Sequence, residues 1–402
     1  IWRSGDLQIA KSPDRQITKF MRRPPLVLLA LLFIAAPAAQ RPSLQAALAA
    51  LDAQLAADFE KDGVGGASIG VIVGPKLAWT RHYGFADMEA KRAPTSDTAY
   101  RIGSITKQFT ALALLRQVEA GTMQLTDPLE KHVPELKALK GRKDGWPAPT
   151  LLQTATMMSG LAREPGADCR DHSVGPLAIW QQKVLGCLPT TSYAFEPGTQ
   201  YLYSNIGYAT LGIAVERAGG KPFTDQVIDG IVKPLGMSRT AWEATAAVRA
   251  DFAHGYTRRD GKADRTRPDR ELDGRGYRVP NGNLFSTVND LARFVMWQLG
   301  TLEAPVIRRE TQTFNYARTY SANGTMSSGY GLGFMVTRRG DLVALGHGGS
   351  TAGYRASALF NPRTGTGVVV LRNAEGGSFD AGPVALRVLE RVAATQAAAQ
   401  TR

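Results

Sequence analysis

The placement of strand-forming segments does most to constrain how this chain folds. Apolar, β-branched runs lie near both ends, and helical patterns fill the space between. Toward the N-terminus, "ASIGVIV" (67–73), a turn at Gly74-Pro75 and "LAWTRHYG" (77–84) read as a β-hairpin. Toward the C-terminus, "YGLGFMV" (330–336), "LVALGH" (342–347), "ASALFNP" (356–362) and "GVVVLRN" (367–373) read as further strands. Helical spacing marks "LQAALAALDAQLAADFEK" (44–61), a segment from Ser104 to Gly121, "PLAIWQQKVL" (176–185), "YATLGIAVERAGG" (208–220), "TVNDLARFVMWQL" (287–299) and "GPVALRVLERVAAT" (382–395). This order suits a mixed sheet completed by both ends of the chain, with a helical part inserted in the middle. The expected fold class is therefore α/β of the α+β type. Its α/β part would span about 39–120 and 285–395, and its helical part about 121–284.

The first 38 residues are set apart from the fold. Residues 1–20 are expected to be an over-extended reading frame or a cloning scar, with Met21 as the true start. From Met21, "MRRPP" followed by an apolar run (26–36) and Ala36-Pro37-Ala38 has the three parts of a secretory signal, cleaved after Ala38. The run is too short for a good membrane span, so a secreted or periplasmic protein without a stable span is expected.

The chain carries 48 Lys and Arg against 35 Asp and Glu, a net +13. Without residues 1–38, which hold six basic and two acidic residues, 42 against 33 remain, a net +9. Export and the lack of a basic run interleaved with aromatics argue against nucleic acid. A carboxylate substrate or an anionic envelope polymer fits better. Cys169 and Cys187 are the only cysteines, and they read equally well as one disulfide or as two buried thiols. Five scattered histidines, with no His-Glu-x-x-His and no cysteine pair at metal-ligand spacing, give no support for a metal.

In "GSITKQFTALALL" (103–115), Lys107 follows Ser104 by three residues, nearly one helical turn, so hydroxyl and amine share a face. The apolar neighbours of Lys107 are expected to keep water away and depress its pKa, which makes it a proton acceptor for the serine. A Ser N-cap with a surface lysine is the ordinary alternative. Tyr203 and Asn205, in the chain's single Tyr-x-Asn, project from a loop after Pro197-Gly198. The phenol would relay protons if Lys107 lowered its pKa, and the amide would orient an acyl group. Packing roles account for both residues as well. In "LVALGHGGSTAGY" a strand runs into His347, Gly348, Gly349 and Ser350, where glycine permits close backbone approach and the N–H of Ser350 can face that of Ser104. Gly66-Ala67-Ser68-Ile69-Gly70 has the letters of a nucleophile elbow, but its context is a strand running into a hairpin rather than into a helix.

Ser104-Ile105-Thr106-Lys107, Tyr203-Ser204-Asn205 and His347-Gly348-Gly349, in this order and at these intervals, resemble the penicillin-recognising serine hydrolases. Within them the class C β-lactamase, D-alanyl-D-alanine carboxypeptidase and esterase group is most similar. The resemblance implies a β-lactamase/transpeptidase-like fold, an antiparallel sheet flanked by helices, with the cleft between it and a mainly helical part. It implies that Ser104 is acylated, that Lys107 and Tyr203 handle protons, and that Asn205 holds the substrate. It further places the oxyanion between the N–H groups of Ser104 and Ser350, beside Gly349, with no cofactor. Small molecules or short peptides with an ester, amide or lactam bond are the implied substrates.

Two departures stand out. His347 occupies the place of the Lys-Thr-Gly lysine that attracts the carboxylate in class C β-lactamases. Histidine is only partly charged near neutrality, which shifts the expectation toward esters and D-amino-acid peptides. Met157-Met158-Ser159-Gly160 stands where the family often has His-Thr-Ser-Gly. Arg363-Thr364-Gly365 is set aside as a hairpin turn. An acyl-binding sensor that never releases its acyl group would keep every one of these motifs.

Overall fold

The computed structural model describes residues 43–400 apart from 261, 273, 313–319 and 322–326. The segments set apart above as upstream sequence and signal lie outside the described residues. Residues 41–402 form one compact unit.

Twelve strands are present among the described residues: β1 (Gly66–Val73), β2 (Lys76–Gly84), β3 (Tyr100–Arg101), β4 (Thr257–Arg259), β5 (Lys262–Asp264), β6 (Phe285–Ser286), β7 (Tyr320–Ser321), β8 (Ser328–Tyr330), β9 (Met335–Arg339), β10 (Leu342–Thr351), β11 (Tyr354–Asn361) and β12 (Thr366–Arg372). Eight of them build an antiparallel sheet in the order β2-β1-β12-β11-β10-β9-β8-β7, so strands from the two ends meet at β1 and β12. The pairs β3-β6 and β4-β5 stand apart as small ladders. The hairpin turn at Arg363-Thr364-Gly365 joins β11 to β12, and Ser68 lies inside β1. Its hydroxyl is buried in a network with Tyr100 Oη and His82 Nδ1, both at 3.0 Å, which rules out a nucleophile elbow there.

Five longer helices are α1 (Leu44–Asp62), α2 (Thr106–Glu119), α3 (Asn205–Gly219), α4 (Val288–Gln298) and α5 (Ala381–Gln400); α1, α4 and α5 pack on the sheet, and α3 packs against α2. The unbroken apolar runs in β1 and β12 follow from burial on both faces, with alternate residues serving opposite layers. Ile69, Val71, Val368 and Val370 pack with Leu51, Leu55 and Phe59 of α1 and Val388, Leu389 and Val392 of α5. Val369 and Leu371 face the other layer, where Phe109 and Leu112 of α2 meet Leu291, Phe294 and Val295 of α4. Full burial of each such side chain contributes about 1.5–3 kcal/mol. None of the helices among the described residues is long and apolar enough to cross a membrane.

One strand expectation needs correction. "YGLGFMV" does not run straight: β8 ends at Tyr330, and β9 begins at Met335 after a tight turn in which Gly331 N–H donates to Phe334 O. Gly333 has φ +86°, and a Cβ there would lie 2.6 Å from Ala111 Cβ and 3.0 Å from Lys107 O. The turn thus packs directly on α2, and only glycine fits.

Cys169 and Cys187 are joined in a disulfide, which settles the alternative left open by their spacing. It ties the strap that follows Gly160 to the short helix Trp180–Cys187.

Candidate active site

The segment bearing Ser104 begins with one tighter turn, Gly103–Ile105, before α2 starts at Thr106. Gly103 has φ +50°, and a Cβ on it would sit 2.7 Å from Ser350 N; a Cβ on Gly349 would sit 1.9 Å from Ile102 O. These two glycines let β10 lie backbone to backbone against the Ser104 turn.

Lys107, one turn on, is fully buried. Its Nζ is 3.1 Å from Ser104 Oγ, 2.8 Å from Asn205 Oδ1 and 2.8 Å from the carbonyl oxygen of Asn281. Burial pushes the amine well below its usual pKa, and the cations of Arg275, Arg163 and Arg278 push the same way, while the carboxylate of Glu164 opposes them. A neutral amine has two N–H bonds and one lone pair. Two neighbours, the oxygens of Asn205 and Asn281, only accept hydrogen bonds and so take both N–H groups. The lone pair is left facing the hydroxyl of Ser104.

The second element is the start of α3. Ser204 caps this helix, its Oγ accepting Gly207 N–H at 3.0 Å and donating to Ala162 O at 2.8 Å. With that task taken, the side chain of Asn205 is free to turn toward Lys107. Asn205 Nδ2 donates to Glu164, whose other oxygen accepts the hydroxyl of Tyr277 at 2.7 Å. The N–H of Ser204 donates to Met157 Sδ at 3.1 Å, and Leu202 N–H donates to Met157 O at 2.9 Å. Met157, buried and at φ +63°, therefore supports the Tyr203 segment from behind.

Tyr203 lies with its ring centroid 4.8 Å from Lys107 Nζ, and it is hydrogen-bonded to Ser104. The expectation that Lys107 lowers the phenol's pKa is not met. Burial raises it above the ordinary tyrosine range, eased by Ser104 and by the cation of Arg163, so the phenol stays protonated.

The third element, β10, brings His347. Its Nε2 is 2.9 Å from Tyr330 Oη, and its Nδ1 lies against the carbonyl of Gly348. The carbonyl can only accept, so Nδ1 carries the proton, and Nε2 accepts from the tyrosine. Burial lowers the imidazole to about 3, and a proton on Lys107 pushes it the same way. The expected partial charge is thus absent, and both ring nitrogens are occupied.

Ser104, Tyr203, His347, Gly349 and Ser350 line one cleft of about 530 Å³, together with Arg163, Tyr201, Met335, Arg355 and Asp380. Lys107 and Asn205 sit behind its wall. All seven residues singled out from sequence converge here. Sequence reasoning missed Arg163, Glu164, Asn281 and Tyr330. A backbone carbonyl such as that of Asn281 leaves no sequence signal, whereas Arg163 and Glu164 follow closely on the Met-Met-Ser-Gly segment. Two other clusters have donor atoms close enough to converge on an ion, Asp87, Glu89 and His254 in one and Cys169, His172 and Cys187 in the other. The second has its sulfurs joined, and neither includes a residue that lines the cleft.

The family model described as Beta-lactamase matches residues 46–393. Protein flp of Staphylococcus aureus (strain COL) is 25% identical over 325 residues, 80% of this chain and 62% of that protein. This chain thus spans about three-fifths of that relative's length. A penicillin-binding protein homologue from Pyrococcus abyssi, described as octameric, superposes with a TM-score of 0.72 at 26% identity, covering 85% of this chain and 76% of its own. A D-stereospecific amidohydrolase from Streptomyces sp. shares the fold with a TM-score of 0.68 at 22% identity, covering 85% and 98%. With its three motifs gathered at one cleft and the family model spanning nearly the whole described unit, the chain belongs to the Beta-lactamase family of serine hydrolases.

Proposed function

We propose that this protein is an exported hydrolase that works through an acyl-enzyme on Ser104. Its substrates are carboxylic esters and amides or peptides of D-amino acids, ahead of β-lactams. The observation that carries the reading is the buried amine of Lys107, 3.1 Å from Ser104 Oγ with its N–H groups engaged elsewhere.

The neutral amine takes the proton of Ser104 as Oγ bonds to the substrate carbonyl carbon. The oxyanion is received by the N–H groups of Ser104 and Ser350, brought together by the close approach at Gly103 and Gly349. Collapse of this intermediate breaks the bond to the leaving group, which takes a proton from the hydroxyl of Tyr203; the ammonium of Lys107 restores that proton. Water then attacks the ester on Ser104 and gives its proton to Lys107; as the bond from Oγ to the acyl carbon breaks, Lys107 returns that proton to Oγ, and the acid is released. Asn205, held between Lys107 and Glu164 behind the cleft wall, keeps the amine aimed at Ser104.

The preference against β-lactams rests on His347. A neutral imidazole with both nitrogens occupied offers no charge at the third motif, where the lysine of class C β-lactamases receives the lactam carboxylate. Export rests on the signal-like segment 21–38.

The test is Ser104→Ala assayed with p-nitrophenyl esters, a D-alanyl peptide and a chromogenic cephalosporin. Loss of ~10³-fold or more in kcat/KM, with the fold retained, is expected. Retained hydrolysis in the purified variant contradicts the assignment, and a single burst of product without turnover points to a sensor instead.

A further inference from the structure

The charges around the cleft are unevenly engaged. His347 is neutral, and Lys107 is buried behind the wall. Arg355 Nη2 is 3.2 Å from Glu375 Oε1, and Arg355 Nη1 donates to Tyr354 O, so this guanidinium is already matched. Asp380 accepts the N–H of Gly382 at the start of α5.

Arg163 is different. It is exposed, it lines the cleft beside Ser104, and its guanidinium has no hydrogen-bond or ion-pair partner among the described residues. It is not loose, however. Its Cζ lies 4.9 Å from the centroid of Tyr203, and its own carbonyl accepts Asn205 N–H at 2.8 Å, which fixes the strap at that point. A guanidinium resting on an aromatic face, with all five N–H donors unspent, is preorganised for two parallel hydrogen bonds to a carboxylate. The ring beneath it belongs to the phenol that bonds the nucleophile, so an anion held there sits close to the scissile bond.

We propose that Arg163 is the anion-recognition residue of this cleft and that the substrates are esters or amides bearing a carboxylate near the scissile bond, received at the Tyr203 edge. This rests on the acyl-enzyme reading and narrows its substrate class. The apolar rim of Tyr201 and Met335 would take the uncharged remainder of such a molecule.

Arg163 also acts on Lys107 and Tyr203 through its charge, so its removal changes the rate on every substrate. The informative quantity is a preference. Wild type, Arg163→Gln, Arg163→Lys and Arg163→Glu are compared on p-nitrophenyl butyrate, on 3-carboxy-4-nitrophenyl butyrate and on the mono-p-nitrophenyl ester of glutaric acid. Each rate is divided by that of hydroxide-catalysed hydrolysis. The expected wild-type preference for at least one carboxylated ester is ~10-fold or more, the scale of hydrogen bonds to a charged group. It should collapse in Arg163→Gln through KM, persist in part in Arg163→Lys and reverse in Arg163→Glu. Which ester carries the effect tells whether the carboxylate belongs to the leaving group or to the acyl part. An equal loss on all three esters, or a wild type without preference, overturns the proposal. Undiminished hydrolysis by Ser104→Ala would instead overturn the acyl-enzyme reading itself.

Discussion

The hydroxyl of Tyr330 is donated to Nε2 of His347 at 2.9 Å, while Nδ1 of the same ring faces the carbonyl of Gly348. Burial keeps this imidazole neutral, and with its single ring proton held on Nδ1 by the carbonyl, Nε2 is left as the acceptor of the phenol. The third motif is therefore a hydrogen-bonded brace between β8 and β10 rather than a positive patch.

The brace has a pH signature. The imidazole falls from an ordinary 6.5 to about 3 on folding, so between these values the unfolded chain binds a proton that the folded protein refuses. Stability is fully present above pH 6.5 and is lost as pH falls toward 3, with a slope of up to about 1.4 kcal/mol per pH unit. Against His347→Asn, wild type should lose more stability across this window in chemical denaturation. Parallel curves contradict the neutral brace.

The carboxylate of Glu164 is the strongest charge favouring the protonated form of Lys107. Glu164→Gln keeps an acceptor for Asn205 Nδ2 and removes the charge. The lysine should lose its proton more readily, and the rising limb of kcat/KM against pH should move to lower pH. A purely structural role for Glu164 would depress the rate without moving that limb.

Gly349 allows β10 to approach the Ser104 turn, since a Cβ there would stand 1.9 Å from Ile102 O. Gly349→Ala has no flexible side chain to displace, only backbone. Destabilisation of about 1–3 kcal/mol is expected, with a larger fractional loss in kcat than in folded protein. Gly365→Ala, in an open turn at φ +63° with nothing nearby, carries only the backbone penalty of a left-handed residue, about 1–2 kcal/mol, with no loss of kcat, and provides the comparison. Equal losses in the two variants would show that the close approach does not matter.

Much of the fold was legible because burial on both faces of β1 and β12 writes itself as continuous apolar runs, and helical spacing marks α1 to α5. The break at Gly331 to Phe334 was not, since a turn packed on a distant helix looks like a strand when only the local alternation is read. At the cleft, the pairing of Ser104 with Lys107 followed from spacing along one helix. The state of His347 and of Tyr203 did not, because it depends on burial and partners assembled from remote segments. Arg163, Glu164 and the carbonyl of Asn281 escaped for the same reason. They act through positions that only the folded strap and the turn at Val279–Gly282 create.

The central claim is that Lys107 is an amine, not an ammonium, when it meets Ser104. Its most direct test is an NMR titration of protein labelled with carbon-13 at lysine Cε, the Lys107 signal being identified by its loss in Lys107→Met. The signal should titrate well below 10.5, leaving the neutral form populated where the enzyme turns over. A Lys107 signal that remains that of an ammonium up to pH 10 would contradict the account.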